Sequence, residues 1–167
     1  MSTLALPTVD EEIWRYSRIG ELELDSFKLG KLSTKVDASS AAKQIISSTT
    51  NVVSRTSTDI FEDLNGQHAQ LTAITTAKNQ VVAEPIVITH SLDESGVVAY
   101  SRLVVEANEN SEVTIVERFV SSANAKSLIV PVVDVRAAQS ARVTYVAINE
   151  LGAATWQIGY QQAVGQR

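Results

Sequence analysis

The second half of the chain constrains the fold most. From Gln70 onward, apolar runs alternate with short polar turn clusters, and no helical period intervenes. The runs cover residues 71–75, 81–89, 97–107, 113–120, 128–135, 143–148 and 155–160. They are rich in Val, Ile, Thr and Tyr, side chains that suit a pleated, buried surface. Between them lie Asp93-Glu94-Ser95-Gly96, Asn108-Glu109-Asn110-Ser111, Ser121-Ser122-Ala123-Asn124 and Gly152-Ala153-Ala154, all turn-forming clusters. Short strands at this spacing indicate a sandwich, a barrel or a solenoid. Three details favour the solenoid. Helical linkers are missing, which excludes a βαβ arrangement. No Asn-Gly or Asp-Gly pair joins the strands, so tight antiparallel hairpins lack their usual signal. Val143-Thr144-Tyr145-Val146-Ala147-Ile148 is apolar at nearly every residue, as in strands buried on both sides. A sandwich is compatible with the same pattern.

The first half reads differently. Thr8 and Glu11, just after Pro7, have the spacing of a capping box. Val9, Ile13, Tyr16 and Gly20 recur at helical intervals, and Trp14 broadens the apolar side. The expectation is a short amphipathic helix that docks its aromatic residues on a core, with a cap contributing about 1 kcal/mol. Leu22, Leu24, Phe27 and Leu29 suggest an extended or turn-rich stretch. Residues 33–59 are crowded with Ser, Thr and Ala, and their hydroxyls compete for backbone hydrogen bonds. Ile45, Ile46, Val52 and Val53 are the strong apolar anchors there, so a loose connector with at most short strands is expected. A second helix is expected from an Asp59 cap through Ile60, Phe61 and Leu64 to Ala69, with Asn65-Gly66 as its stop. The chain thus divides into a helical and connector region, 1–69, and a β region, 70–167.

Composition removes several classes of function. Apolar residues make up 44% and charged residues 20% of the 167, the balance of a soluble globular protein that can bury a core. Cysteine is absent, which excludes disulfides, thiolate metal sites and a Cys nucleophile, and fits a reducing compartment. The opening MSTLALPTVDEE lacks the basic and apolar regions of a signal peptide. No apolar run approaches the ~20 residues that span a bilayer, so neither membrane nor export is expected, and a cytoplasmic location is. Fourteen basic residues stand against 19 acidic ones, leaving no excess to neutralise phosphates. Nucleic acid is not an expected partner.

Motifs for chemistry are sparse. Gly30-Lys31 has the last two residues of a phosphate-binding loop, but the preceding glycine position is Asp25 and the Ser/Thr position is Leu32. His68 and His90 are too few for a zinc site unless carboxylates join them from elsewhere. Glu106, Glu109, Glu112 and Glu117 gather in one stretch; paired carboxylates act on sugars, though beside a turn they commonly form a solvated rim. No Gly-x-Ser-x-Gly elbow occurs. No catalytic, cofactor-binding or metal-ligating residue is assigned, and the chain is not expected to be an enzyme.

Several stretches resemble the SufB/SufD family. Leu6-Pro7-Thr8-Val9-Asp10-Glu11-Glu12-Ile13-Trp14-Arg15-Tyr16-Ser17 is similar to its opening pattern, with Ser17 in place of the commoner Thr. Phe61-Glu62-Asp63-Leu64-Asn65 is similar to the helix before the first solenoid strands. Glu84-Pro85-Ile86-Val87-Ile88-Thr89-His90 resembles a family strand ending in His. The stretch 100–117 has the family's order of Arg, apolar strand, turn and second strand ending in Glu. Asn149-Glu150-Leu151-Gly152 and Trp156-Gln157-Ile158-Gly159 complete the likeness, and the opening pattern leans to the SufD branch.

The resemblance implies a right-handed parallel β-helix with helical additions. It implies a non-catalytic scaffold in iron–sulfur cluster assembly, in complex with SufB and the ATPase SufC. It implies no cofactor held by this chain itself; clusters are handled in the full complex. Family members are usually more than twice this length, and their ATPase-binding and cluster-handling residues lie in the C-terminal part. None of those residues maps onto this sequence. A solenoid cut at Arg167 is expected to expose an open rung and to be marginal or self-associating. The alternatives are a carbohydrate-active β-helix enzyme and a purely structural solenoid.

Overall fold

The computed structural model describes residues 4–48 and 57–166. The N-terminal region supplies β1 (Lys28–Leu29), β2 (Ser33–Asp37), α1 (Ser40–Lys43), β3 (Ile46–Ser47) and α2 (Ile60–His68). Then come β4 (Gln70–Thr75), β5 (Ile86–Ser91), β6 (Val97–Ala107), β7 (Glu112–Val120), β8 (Leu128–Ala137), β9 (Arg142–Glu150), β10 (Trp156–Gln157) and β11 (Tyr160–Gly165). From β4 on, strands enter two sheets alternately. One sheet runs β10-β8-β6-β4-β3, with β1 beside β6 and β11 beside β8; the other runs β2-β5-β7-β9. Pairing among β4–β11 is parallel throughout, and the same position recurs every 28 to 31 residues. This is a β-solenoid of about three turns, as the sequence favoured. The short strands β2 and β3 add antiparallel edges to it.

Stacked corners hold the rungs in register. Asn79, Asn110 and Ser140 have φ of 61°, 56° and 59°, and they recur at one corner of successive rungs. Asn enters this left-handed region more readily than most residues. Asn79 N–H donates to the Glu109 carbonyl at 2.8 Å, and Asn110 N–H to that of Gln139 at 3.1 Å. Beside them Thr76 Oγ1 donates to Ser111 Oγ at 2.7 Å, and Ser111 Oγ to the Asn108 carbonyl at 2.6 Å. At another corner Gly152 N–H donates to Ser121 Oγ at 2.9 Å. Short polar side chains thus satisfy backbone groups that a strand cannot reach.

Two apolar layers follow. Ile74, Ile86, Ile88, Leu103, Val105 and Ile115 fill the space between the sheets. On the outer side of β6 and β8, Val98, Tyr100, Leu128 and Val130 pack under Ile19, Leu22 and Phe61. β6 and β8 are therefore the strands buried on both faces. The run chosen for that property, 143–148, is not: Val146 is 41% and Ile148 37% exposed on β9. No described element covers the outer face of its sheet, so a near-continuous apolar run misled there.

Other differences have local causes. The run 81–89 becomes a strand only from Ile86, because Pro85 brings no N–H to a ladder. Val81 makes an isolated bridge to Glu112. The first expected helix is a series of turns. Glu11, Trp14 and Ser17 N–H groups bond carbonyls three residues back, at 2.9–3.1 Å. Half of the capping box forms, Thr8 N–H donating to Glu11 Oε1 at 2.9 Å. Ile13 and Tyr16 are 88% and 92% exposed, while Trp14 packs on Phe61 with ring centres 5.8 Å apart. One aromatic anchor, rather than an apolar helix face, fixes the segment. Asp59 caps α2 as expected, accepting from Phe61 N–H and Glu62 N–H at 2.9 and 3.1 Å. Asn65-Gly66 does not stop that helix, which continues to His68. Val52 and Val53 lie outside the described residues.

Candidate functional site

Strand alternation carries a polar cluster into the interior. In β5, Ile86, Ile88 and His90 are the buried set, and in β7 Val113, Ile115, Glu117 and Phe119 are. A period of two leaves Glu117 no choice but the core once Ile115 is there. His90 Nε2 and Glu117 Oε1 are 2.8 Å apart, with side chains 3% and 1% exposed. Thr34 Oγ1 on β2 lies 2.9 Å from His90 Nδ1. Tyr145 on β9 donates its hydroxyl to Glu117 Oε2 at 2.6 Å. The imidazole stacks on Phe119, centroids 5.2 Å apart. Burial, and then the charge of Glu117 and its hydrogen bond, hold the Tyr145 phenol far above its ordinary pKa. The chain Thr34–His90–Glu117–Tyr145 therefore crosses all four strands of its sheet. Each bond to a charged group contributes about 1.5–3 kcal/mol, and removal of one partner strands the others.

A second polar link ties the helix to the coil. Asn65 Nδ2 donates to the carbonyls of Ser101 and Val130, each at 2.8 Å, which bridges adjacent rungs. Asn65 Oδ1 and Ser101 Oγ are buried without a hydrogen-bond partner. Tyr160 on β11 donates to Asp59, the cap of α2.

The residues singled out by sequence are scattered, with one exception. Glu106 pairs with Arg136, Glu109 with Lys78 and Glu112 with Arg142, each across one rung on the surface. Glu117 is buried, so the four glutamates do not assemble a carboxylate pair for sugar chemistry. His68 is exposed at the end of α2, its ring 5.9 Å from that of Tyr100, and is not joined to His90. Gly30 has a packing reason: a Cβ there would sit 2.7 Å from Val97 Cβ. The exception is the pair His90 and Glu117, which sequence reading kept in separate groups. Thr34 and Tyr145 were missed. A signal existed for the register: Glu106, Glu112, Val113 and Thr114 recur thirty residues later as Arg136, Arg142, Val143 and Thr144. Among the described residues no three His, Cys, Asp or Glu side chains gather as a metal site, and no helix is long and apolar enough to cross a membrane.

A parallel coil pinned by an interior polar chain and stacked corners is a β-solenoid of the scaffold kind. Residues 87–167 match the family model described as SUF system FeS cluster assembly, SufBD core domain. That match supports the SufB/SufD family and a role in SUF iron–sulfur cluster assembly, and it does not separate SufD from SufB. No curated protein and no solved structure matches the chain.

Proposed function

We propose that this chain is part of a SufD-type scaffold that works with SufB and the ATPase SufC in the cytoplasm, without catalysing a reaction or holding a resident cofactor itself. The match of residues 87–167 to the SufBD core domain carries the reading. The order Pro7-Thr8, Asp10-Glu11-Glu12, Trp14-Arg15-Tyr16 supports the SufD branch. The dispersal of Glu106, Glu109, Glu112 and Glu117 supports a scaffold over a sugar-active enzyme. The coil is right-handed in this reading, as parallel crossovers almost always are. The test is affinity purification of the complete gene product, co-expressed with SufB and SufC from the same genome. A stoichiometric complex is expected. Recovery of the protein free of both partners would overturn the proposal.

A further inference from the structure

The interior chain has the parts of a metal site. The imidazole of His90, the carboxylate of Glu117 and the phenol of Tyr145 present one nitrogen and three oxygens, joined by contacts of 2.8 and 2.6 Å. Thr34 stands on the far imidazole nitrogen at 2.9 Å, where metal-binding histidines keep an orienting partner. Its hydroxyl can donate or accept, so it suits either ring tautomer. When Glu117 is ionised it only accepts, so a neutral His90 carries its proton on Nε2 and accepts from Thr34. Moving that proton to Nδ1 frees Nε2 for an ion, and Thr34 then becomes the acceptor.

Room and access are also present. Ser101, Pro131 and Gly159 bring small or ring side chains to consecutive turns of the opposite sheet. A pocket of about 330 Å³ opens there, lined by Phe119, Pro131, Val133, Tyr145, Gly159 and Tyr160 among others. Tyr145 in its wall connects the pocket to Glu117. Ser101 alternates with the inward Leu103, and its buried hydroxyl has no partner. We propose that His90, Glu117 and Tyr145 bind a divalent first-row transition ion between the sheets, with Thr34 as the positioning residue. Imidazole favours such an ion over Mg²⁺ or Ca²⁺, and the lack of any thiolate disfavours Cu(I). Coordination by Tyr145 releases its phenol proton, so affinity rises with pH.

The probe is Co²⁺, read by its visible absorption, with Zn²⁺ as calorimetric competitor on the same full chain. One equivalent is expected to bind, with saturable absorption that Zn²⁺ abolishes. Tyr145→Phe removes one oxygen at the pocket wall and is expected to weaken binding at least about tenfold, as is Thr34→Val. His90→Gln and Glu117→Gln are expected to abolish the signal, with circular dichroism confirming that each variant is folded. Absence of saturable Co²⁺ binding, or binding unchanged in Tyr145→Phe and Thr34→Val, would overturn the proposal. Neither result bears on whether SufB and SufC bind, so the two readings fail separately.

Discussion

Replacing Gly152 with alanine asks one corner of the solenoid to hold a carbon for which it has no room. The new Cβ would sit 2.7 Å from Ala123 Cα and would overlap the Ser122 carbonyl. Both obstacles are backbone of the preceding rung, so no side chain can swing away. The same corner carries the Gly152 N–H to Ser121 Oγ bond, at 2.9 Å, and the 2.7 Å contact of Ser121 Oγ with Thr155 Oγ1. Overpacking of this kind costs about 1–3 kcal/mol. Gly66 provides an internal control. It lies in α2, exposed, with nothing within 4 Å of an added Cβ. Alanine there is expected to stabilise the protein by about 0.5–1 kcal/mol, because glycine is a poor helix former. One chemical change at two sites thus gives opposite signs. Urea unfolding followed by far-ultraviolet circular dichroism measures both, with midpoints compared at a common slope. The reasoning fails if Gly152→Ala lies within about 0.5 kcal/mol of the parent, or if the two variants shift alike.

Other expected outcomes follow from the same contacts. Glu117→Ala leaves His90 and Tyr145 unpaired in the core and should cost about 3–5 kcal/mol. Its neighbour Arg118, in a half-exposed pair with Glu150, should cost under about 1 kcal/mol as Ala, so equal losses in urea would contradict the burial assigned here. Asn65→Ala should lose about 2–3 kcal/mol in the same assay although alanine favours the helix, because two buried carbonyls lose their donor. Burial raises the Tyr100 phenol to about 12, and Tyr145 and Tyr160 are held higher still. An unfolded chain releases these protons first, near pH 10, so stability is full below pH 10 and falls as pH rises toward 12. Phenolate absorbance at pH 11 should therefore fall short of the denatured value by three tyrosines; equality in a protein still folded would refute the burial.

The strands were legible because Val, Ile and Thr runs broken by polar clusters leave few alternatives. β6 was placed residue for residue, and β7 and β8 within two residues at either end. What the runs could not tell was which face had a neighbour. β8 and 143–148 read alike, yet Tyr100 and Val130 lie beneath α2 and the Ile19 segment, while Val146 has nothing over it. That difference arises from chain far away in sequence. The same limit hid the candidate site. His90 and Glu117 are 27 residues apart, and their meeting depends on a register set by corner residues such as Asn79 and Asn110. The near-repeat at 106–114 and 136–144 encoded that register. Thr34 had no such signal, since it arrives on an antiparallel edge strand from the Ser/Thr-rich connector.

The central claim is the parallel, thirty-residue stacking of rungs, and a cysteine-free sequence allows it to be tested cleanly. Thr114 and Thr144 are register partners on β7 and β9. Neighbouring strands lie about 4.7–4.9 Å apart, within the span of a disulfide. A chain carrying Thr114→Cys and Thr144→Cys should oxidise to an intramolecular disulfide without losing its fold, while Thr114→Cys with Ile148→Cys should not. Failure of the first pair, or ready closure of the second, would contradict the solenoid register.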